Sequence, residues 1–87
     1  MVEEKDRRWS DLTEKEQKVL VLFVEGGMPL KQVAGELGIS LTYVKALLLS
    51  AYHILGVESG RGAAFWMGRH FQEIRRSRNG GRVGKQP

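Results

Sequence analysis

The chain has 87 residues, of which 41% are apolar and 28% charged, with two histidines and no cysteine. This length predicts one small domain, and the lack of cysteine excludes disulfides, thiol catalysis and cysteine-ligated zinc. Because no apolar run approaches the roughly 18 residues of a membrane span and the N-terminus is charged throughout, we expect a cytoplasmic protein without a membrane segment.

The formal net charge of +4 is unevenly distributed along the chain. Residues 75–87 hold five basic residues and no acidic one, whereas residues 1–74 hold nine basic and ten acidic residues. A polyanionic partner would therefore be attracted mainly by the C-terminal end, in a manner that weakens with salt.

The apolar spacing predicts an all-α fold, a four-helix helix-turn-helix domain over residues 11–76. Residues 1–10 mix charges without apolar spacing and are interpreted as a flexible leader. Residues 77–87 contain three glycines and a proline without an apolar pattern, so we expect a disordered basic tail.

The first predicted helix begins after Thr13, because this residue and Glu16 form the spacing of a capping box. An apolar stripe follows, and Gly26-Gly27 is expected to end the helix. The stripe consists of Val19, Leu20, Phe23 and Val24, with Leu22 nearby.

The second and third predicted helices are separated by a very short turn. Pro29 is suited to the start of a short helix that Gly38 ends, and Ser40 caps the next helix only two residues later. So short a connection requires the two helices to cross steeply, which is the helix-turn-helix arrangement. The apolar face of the second helix is Leu30, Val33, Ala34 and Leu37.

The third helix is predicted over about residues 41–55, with Ser40 as its cap and Gly56 at its end. At 100° per residue, Val44, Leu48, Ala51 and Leu55 form its core stripe, flanked by Leu47 and Ile54. The opposite side, which we call the outer face, carries Thr42, Lys45, Ala46, Leu49, Ser50 and His53. Two of the three consecutive leucines are thus expected in the core, and only Leu49 on the surface.

A fourth helix is predicted over about residues 63–76, after a loop in which Gly60 and Gly62 flank Arg61. Its helical spacing comes from Ala63, Ala64, Met67, Phe71 and Ile74. Core packing or a dimer contact are the two interpretations of its apolar residues, and the dimer contact is assigned to Phe65, Trp66, Met67, Phe71 and Ile74.

Several of these segments resemble the LuxR-type (GerE-like) helix-turn-helix domain over about residues 12–74. They are "LTEKEQKVLVLFVEGGMPLKQVAGELGIS", "YVK", "LGV" and "GRGAAFWM". The resemblance implies a four-helix domain that binds DNA through its third helix and often pairs through its fourth. Of that family's Thr-Val-Lys-x-His signature, Lys45 is kept, while Tyr43 and Leu47 replace the Thr and His. Region 4 of bacterial sigma factors is similar over residues 12–55 and ranks second, because "LGV" and the fourth helix fit it less well.

These observations predict a small stand-alone transcription regulator that acts as a homodimer on double-stranded DNA. Its third helix would enter the major groove, where Leu49 and Ala46 suit a thymine methyl group, and the basic tail would lie on phosphates. The predicted DNA contacts are Lys31, Gln32, Thr42, Tyr43, Lys45, Ala46, Leu49, Ser50, His53, Arg61, Arg75, Arg76 and Arg78.

The alternative is a protein-interaction module on a helix-turn-helix frame, which binds RNA polymerase, a sigma factor or another regulator. The nearly neutral body and exposed Leu49 favour it, since a small, neutral surface with a central leucine suits a protein partner. Leu49 thus remains open between DNA and protein.

We predict no catalytic residue, metal or cofactor. His53 and His70 are 17 residues apart without a matched acidic pair, and no glycine-flanked serine marks a nucleophile.

Overall fold

The computed structural model describes residues 8–76, and within this range the regular secondary structure is entirely helical. The all-α, helix-turn-helix fold predicted from the sequence is confirmed. The expected tail, residues 77–87, and residues 1–7 of the expected leader lie outside the described residues.

The first helix, α1 (Glu14–Leu20), is capped as the sequence predicts. The Thr13 hydroxyl accepts a hydrogen bond from the Glu16 amide (3.1 Å), and the Glu16 carboxylate accepts one from the Thr13 amide (2.8 Å). The helix continues as a wider π-helical turn, Val21–Glu25. Gly27, with a φ of 68°, then reverses the chain.

The helix-turn-helix unit consists of α2 (Leu30–Leu37) and α3 (Leu41–Leu55), which are bent by 103° relative to each other. Gly38 makes the turn with a φ of 67°, a left-handed conformation that glycine adopts without steric cost. The Ser40 hydroxyl caps α3 by accepting from the Tyr43 amide at 3.1 Å. The predicted steep crossing is therefore present.

The fourth helix differs from the prediction at both ends. It is α4 (Gly60–Arg69), capped by the Ser59 hydroxyl, so Arg61 lies in its first turn and not in a loop. The helix breaks at His70, and residues 71–76 are helical again.

The expected leader is corrected at its end, because Trp9 is a core residue only 1% exposed. It lies in a 3-10 turn, Trp9–Asp11, and its amide donates to the Glu73 carboxylate at 2.8 Å. Its carbonyl accepts from the Gln17 side chain at 2.9 Å, and its ring stacks on Trp66 with 6.5 Å between centroids. Trp9 thus ties the start of the domain to both α1 and α4.

One core joins all the helices. It is formed by apolar side chains of the 3-10 turn, α1, the helix-turn-helix pair, α4 and the last helical residues. Its largest fully buried members are Trp9, Leu20, Leu55, Ile74, Val19, Val33 and Val44. This core leaves one side of α3 directed outward.

Within residues 8–76, no single helix is both long and apolar enough to cross a membrane. Only the sharply bent pair of α2 and α3 meets the length and composition of a span, and the core of the protein buries much of that apolar surface.

Candidate nucleic-acid interface

The outer face of α3 is open along its whole length. All six of its predicted members, Thr42, Lys45, Ala46, Leu49, Ser50 and His53, are exposed. The opposite side is buried in the core through Val44, Leu48, Ala51 and Leu55. The geometry that a recognition helix needs, one side anchored and one side accessible, is therefore present.

The three consecutive leucines divide as the helical spacing predicts. Leu47 and Leu48 are 8% and 6% exposed, whereas Leu49 is 68% exposed. Leu49 therefore presents a large apolar side chain to solvent at the centre of the outer face.

Ser50 differs from the other members of this face because its hydroxyl is used within the chain. It donates to Glu16 Oε2 at 2.6 Å, while Glu16 Oε1 accepts from the Thr13 amide. Glu16 is 5% exposed. Its buried carboxylate therefore caps the start of α1 and also hydrogen-bonds to the second half of α3. The Ser50 hydroxyl, which the sequence predicts as a DNA contact, therefore already donates a hydrogen bond within the chain.

A second cation besides Lys45 lies near the start of α3 and belongs to α1. Lys15, on α1, places its Nζ 5.8 Å from the centroid of the Tyr43 ring, and Tyr43 is 43% exposed. Lys31 and Gln32, at the start of α2, are exposed as predicted. Lys15 and Lys45 thus supply two cations near the start of α3, and Lys31 supplies an exposed cation at the start of α2.

The predicted arginine contacts among residues 8–76 belong to α4 and to the helical residues after it. Arg61 is exposed on the first turn of α4, and Arg75 and Arg76 are exposed at the end of the described region. Arg78 lies outside the described residues. The predicted DNA contacts within residues 8–76 are therefore divided between the helix-turn-helix pair and the C-terminal part of the domain.

The residues predicted for a dimer contact differ in how far they are exposed. Met67 and Ile74 are 4% and 1% exposed and pack in the core, so they have almost no surface to offer a second copy. Trp66 is half-buried and stacks on His70, with 3.7 Å between ring centroids. Phe65 and Phe71 remain exposed.

Each exposed phenylalanine is paired with an arginine four residues later, which the sequence analysis missed. The Arg69 guanidinium lies 5.5 Å from the Phe65 ring centroid, and that of Arg75 lies 5.8 Å from the Phe71 ring centroid. The repeated Phe-x-x-x-Arg spacing in "FWMGR" and "FQEIR" is the sequence signal that predicts these pairs. We call them the arginine–phenylalanine pairs.

A groove of about 640 Å³ lies between the end of α3 and α4. Val57, Phe65 and Trp66 supply apolar lining, and Arg61, Arg69 and Glu58 supply charge. No cluster of metal-ligating side chains exists among residues 8–76.

A comparison with protein-family models matches residues 10–55 to the model described as Sigma-70, region 4. The match spans α1, the π-helical turn and the helix-turn-helix pair, and it ends where α3 ends. No curated protein and no solved structure matches the chain. The matched family is the one that the sequence analysis ranked second, and it has a DNA-binding helix-turn-helix fold, as the LuxR type does. More than half of the chain thus carries this signature, and the protein belongs to the Sigma-70, region 4 family.

Proposed function

We propose that this protein is a transcription regulator that binds duplex DNA with the outer face of α3 in the major groove. The observation that carries the proposal is the accessible outer face, which a core-anchored helix presents at 103° to α2. Membership of a DNA-binding helix-turn-helix family supports it.

The proposed base contacts lie on the first three turns of α3. Thr42 and Lys45 supply hydrogen-bonding groups, while Ala46 and Leu49 supply apolar contacts for a thymine methyl group. Lys31 and Gln32, at the start of α2, are placed to contact a phosphate. Since only one or two side chains can hydrogen-bond to base edges, sequence preference in a single copy is expected to be weak.

The test is selection from random duplexes at two salt concentrations, followed by anisotropy titration of the selected duplex. Lys45→Ala combined with Thr42→Ala is expected to lower affinity for the selected duplex by about tenfold and to narrow its advantage over an unrelated duplex. Lys18→Ala, on the exposed surface of α1, is the matched control. Equal binding of selected and unrelated duplexes by the unmodified protein would contradict the proposal.

A second candidate function is a protein-interaction module that binds RNA polymerase, a sigma factor or another regulator. Two observations favour it. Leu49 is 68% exposed, and the matched segment, residues 10–55, is nearly neutral because it contains four basic and five acidic residues. An exposed apolar side chain on a weakly charged surface is typical of a protein contact.

Leu49→Lys separates the two functions because it adds a positive charge at the centre of the outer face. Under the first function, overall affinity for duplex DNA holds or rises because the added lysine reaches phosphates, while the preference for a thymine at the Leu49 contact is lost. Under the second, co-purification with RNA polymerase is lost, because a charge would be buried without a partner. Leu49→Met is the matched control that preserves apolar volume.

Homodimerisation is part of the first proposal, because a second copy would double the small number of base contacts. Sedimentation velocity over a range of protein concentrations measures it directly. A single species with the mass of one chain, on DNA as well as in solution, would remove the dimer from the proposal.

A further inference from the structure

We propose that the arginine–phenylalanine pairs form a second DNA contact, which binds phosphates and lies outside the segment matched to the family. The inference rests on the proposed DNA-binding function and names the surface that supplies its electrostatic attraction. The pairs are Phe65–Arg69 on α4 and Phe71–Arg75 in the helical residues 71–76.

The first argument is the distribution of charge among the described residues. Residues 60–76 contain four arginines and one acidic residue, Glu73, whose carboxylate already accepts from the Trp9 amide. Residues 10–55 contain four basic and five acidic residues. A duplex is therefore attracted to residues 60–76 more strongly than to the segment formed by residues 10–55.

The second argument is the geometry of the pairs. An arginine that stacks near an aromatic ring loses less side-chain freedom on binding, and a guanidinium in such a contact can still use its N–H donors for a further partner. These donors bind phosphate oxygens in a bidentate manner, which a lysine does not. The phenylalanines thus act as platforms that orient the arginines, which explains why such apolar rings stay exposed.

The third argument concerns a second copy of the chain, the partner expected from the sequence. A two-fold symmetric contact through this surface would bring the positive patch of one chain against the positive patch of the other. Like charges brought together in this way oppose pairing. The two predicted contact residues that would have added apolar area, Met67 and Ile74, are buried in the core.

Arg61 extends the same contact toward the end of α3. It lines the groove between α3 and α4 together with Arg69 and Phe65. Glu58 lines the groove as well and offsets part of its positive charge. Arg69 therefore belongs both to this groove and to an arginine–phenylalanine pair, while Arg75 forms the other pair and is followed directly by Arg76.

The experiment is anisotropy titration of a labelled 20-base-pair duplex of arbitrary sequence, between about 50 and 200 mM salt. Arg69→Gln with Arg75→Gln is expected to weaken binding about tenfold per arginine. The slope of log K against log salt should become shallower by about 2, which corresponds to two lost phosphate contacts. Lys18→Gln removes one charge from α1 and should leave the slope nearly unchanged.

Two further variants distinguish positioning from charge alone. Arg69→Lys with Arg75→Lys keeps the slope but should weaken binding, because lysine lacks the bidentate edge. Phe65→Leu with Phe71→Leu keeps the charges and the apolar volume, and should weaken binding about two- to fivefold through loss of the ring platform. All of these residues are exposed, so circular dichroism should show the unmodified helical content and melting temperature.

The inference is overturned if the glutamine variant binds with the affinity and salt slope of the Lys18→Gln control. It is also overturned if Phe65→Ser converts a dimer to a monomer without changing DNA binding, since α4 would then be a dimer contact. Loss of sequence preference in the α3 variants, with an altered slope only in the arginine variants, supports both proposals. Unchanged preference in the α3 variants contradicts the α3 proposal alone, and absence of all duplex binding overturns both.

Discussion

The outer face of α3 and the arginine–phenylalanine pairs differ in nearly every property that matters for DNA binding. The outer face is accessible, correctly placed on a crossed helix pair, and carries one cation, Lys45, beside the apolar Leu49. The pairs carry two arginines on aromatic platforms but lie outside the helix-turn-helix unit. The comparison indicates that α3 supplies the shape that fits a DNA groove, whereas the arginine–phenylalanine pairs supply positive charge that attracts a duplex.

The two surfaces also have different internal supports. The outer face of α3 is held by the Glu16–Ser50 hydrogen bond and by the Gly38 turn. The region of the pairs is held by Trp9, which stacks on Trp66 and donates to Glu73 through its amide. Substitutions at these supports should therefore disturb one surface more than the other.

The largest effect is expected from Trp9→Ala, which empties a large site in the core. Removal of a fully buried tryptophan side chain costs about 3–5 kcal/mol of the free energy of unfolding, because apolar contacts are lost and a cavity remains. Thermal melting and hydrogen exchange measure this loss, and exchange in α4 should accelerate more than exchange in α2.

Trp9→Phe is the matched control. The indole Nε1 of Trp9 is buried without a hydrogen-bond partner among residues 8–76, so phenylalanine removes an unsatisfied donor while it keeps an aromatic ring. The phenylalanine variant should lie closer in stability to the unmodified protein than to Trp9→Ala. Equal losses in the two variants would show that the indole itself, rather than the ring platform, anchors this segment.

The sequence predicted the helix-turn-helix unit because its signals are local. Capping residues, turn glycines and apolar spacing act within a few residues, and Thr13, Gly38, Ser40 and Gly56 have the roles expected of them. The burial of Leu47 and Leu48 and the exposure of Leu49 also follow from helical geometry alone.

The contacts between distant residues could not be predicted in this way. Trp9 lies 64 residues from Glu73, and nothing in the local pattern of residues 1–10 shows that its ring is buried. Likewise, the capping box predicts the hydrogen-bond partner of one Glu16 oxygen, the Thr13 amide. The partner of the other oxygen, the Ser50 hydroxyl, depends on how α1 packs on α3. These contacts depend on the tertiary packing, which helical spacing does not encode.

Ser50→Ala should have the next largest effect, at the support of α3. It leaves Glu16 Oε2 buried without its hydroxyl donor, which costs about 1–3 kcal/mol in the free energy of unfolding. DNA affinity should fall as well if the hydrogen bond orients the outer face. Ser50→Thr retains the hydroxyl and should therefore keep most of the stability and most of the DNA affinity. An alanine variant as stable as the threonine variant would contradict the role given to this hydrogen bond.

Gly38→Ala tests the turn that sets the angle between α2 and α3. The φ of 67° disfavours any residue with a Cβ, and since nothing lies within 4 Å of the added atom, the cost is backbone strain of about 1–2 kcal/mol. Gly35→Ala is the control, because Gly35 is inside α2 with equally open surroundings and should gain about 0.5–1 kcal/mol. Chemical denaturation measures both, and a loss in both variants would contradict this explanation.

The smallest expected effect is a dependence of stability on alkaline pH, which arises where α3 contacts the start of α4. Tyr52, on α3, lies close to Gly60 at the start of α4, and a Cβ built on Gly60 would stand 3.3 Å from the Tyr52 hydroxyl. Burial raises the pKa of this hydroxyl above its ordinary value near 10, because the charged phenolate is poorly solvated there.

The sign of the effect follows from proton binding. Above about pH 10 the unfolded chain loses the Tyr52 proton before the folded chain does, so the folded state binds more protons and stability falls as pH rises. Below that pH the contribution is fully present. Tyr52→Phe cannot ionise, so its melting temperature should decline less than that of the unmodified protein between pH 9 and pH 11. Tyr43→Phe, on the exposed part of α3, is the control, and parallel declines in all three proteins would show that the contact between α3 and α4 does not sense this proton.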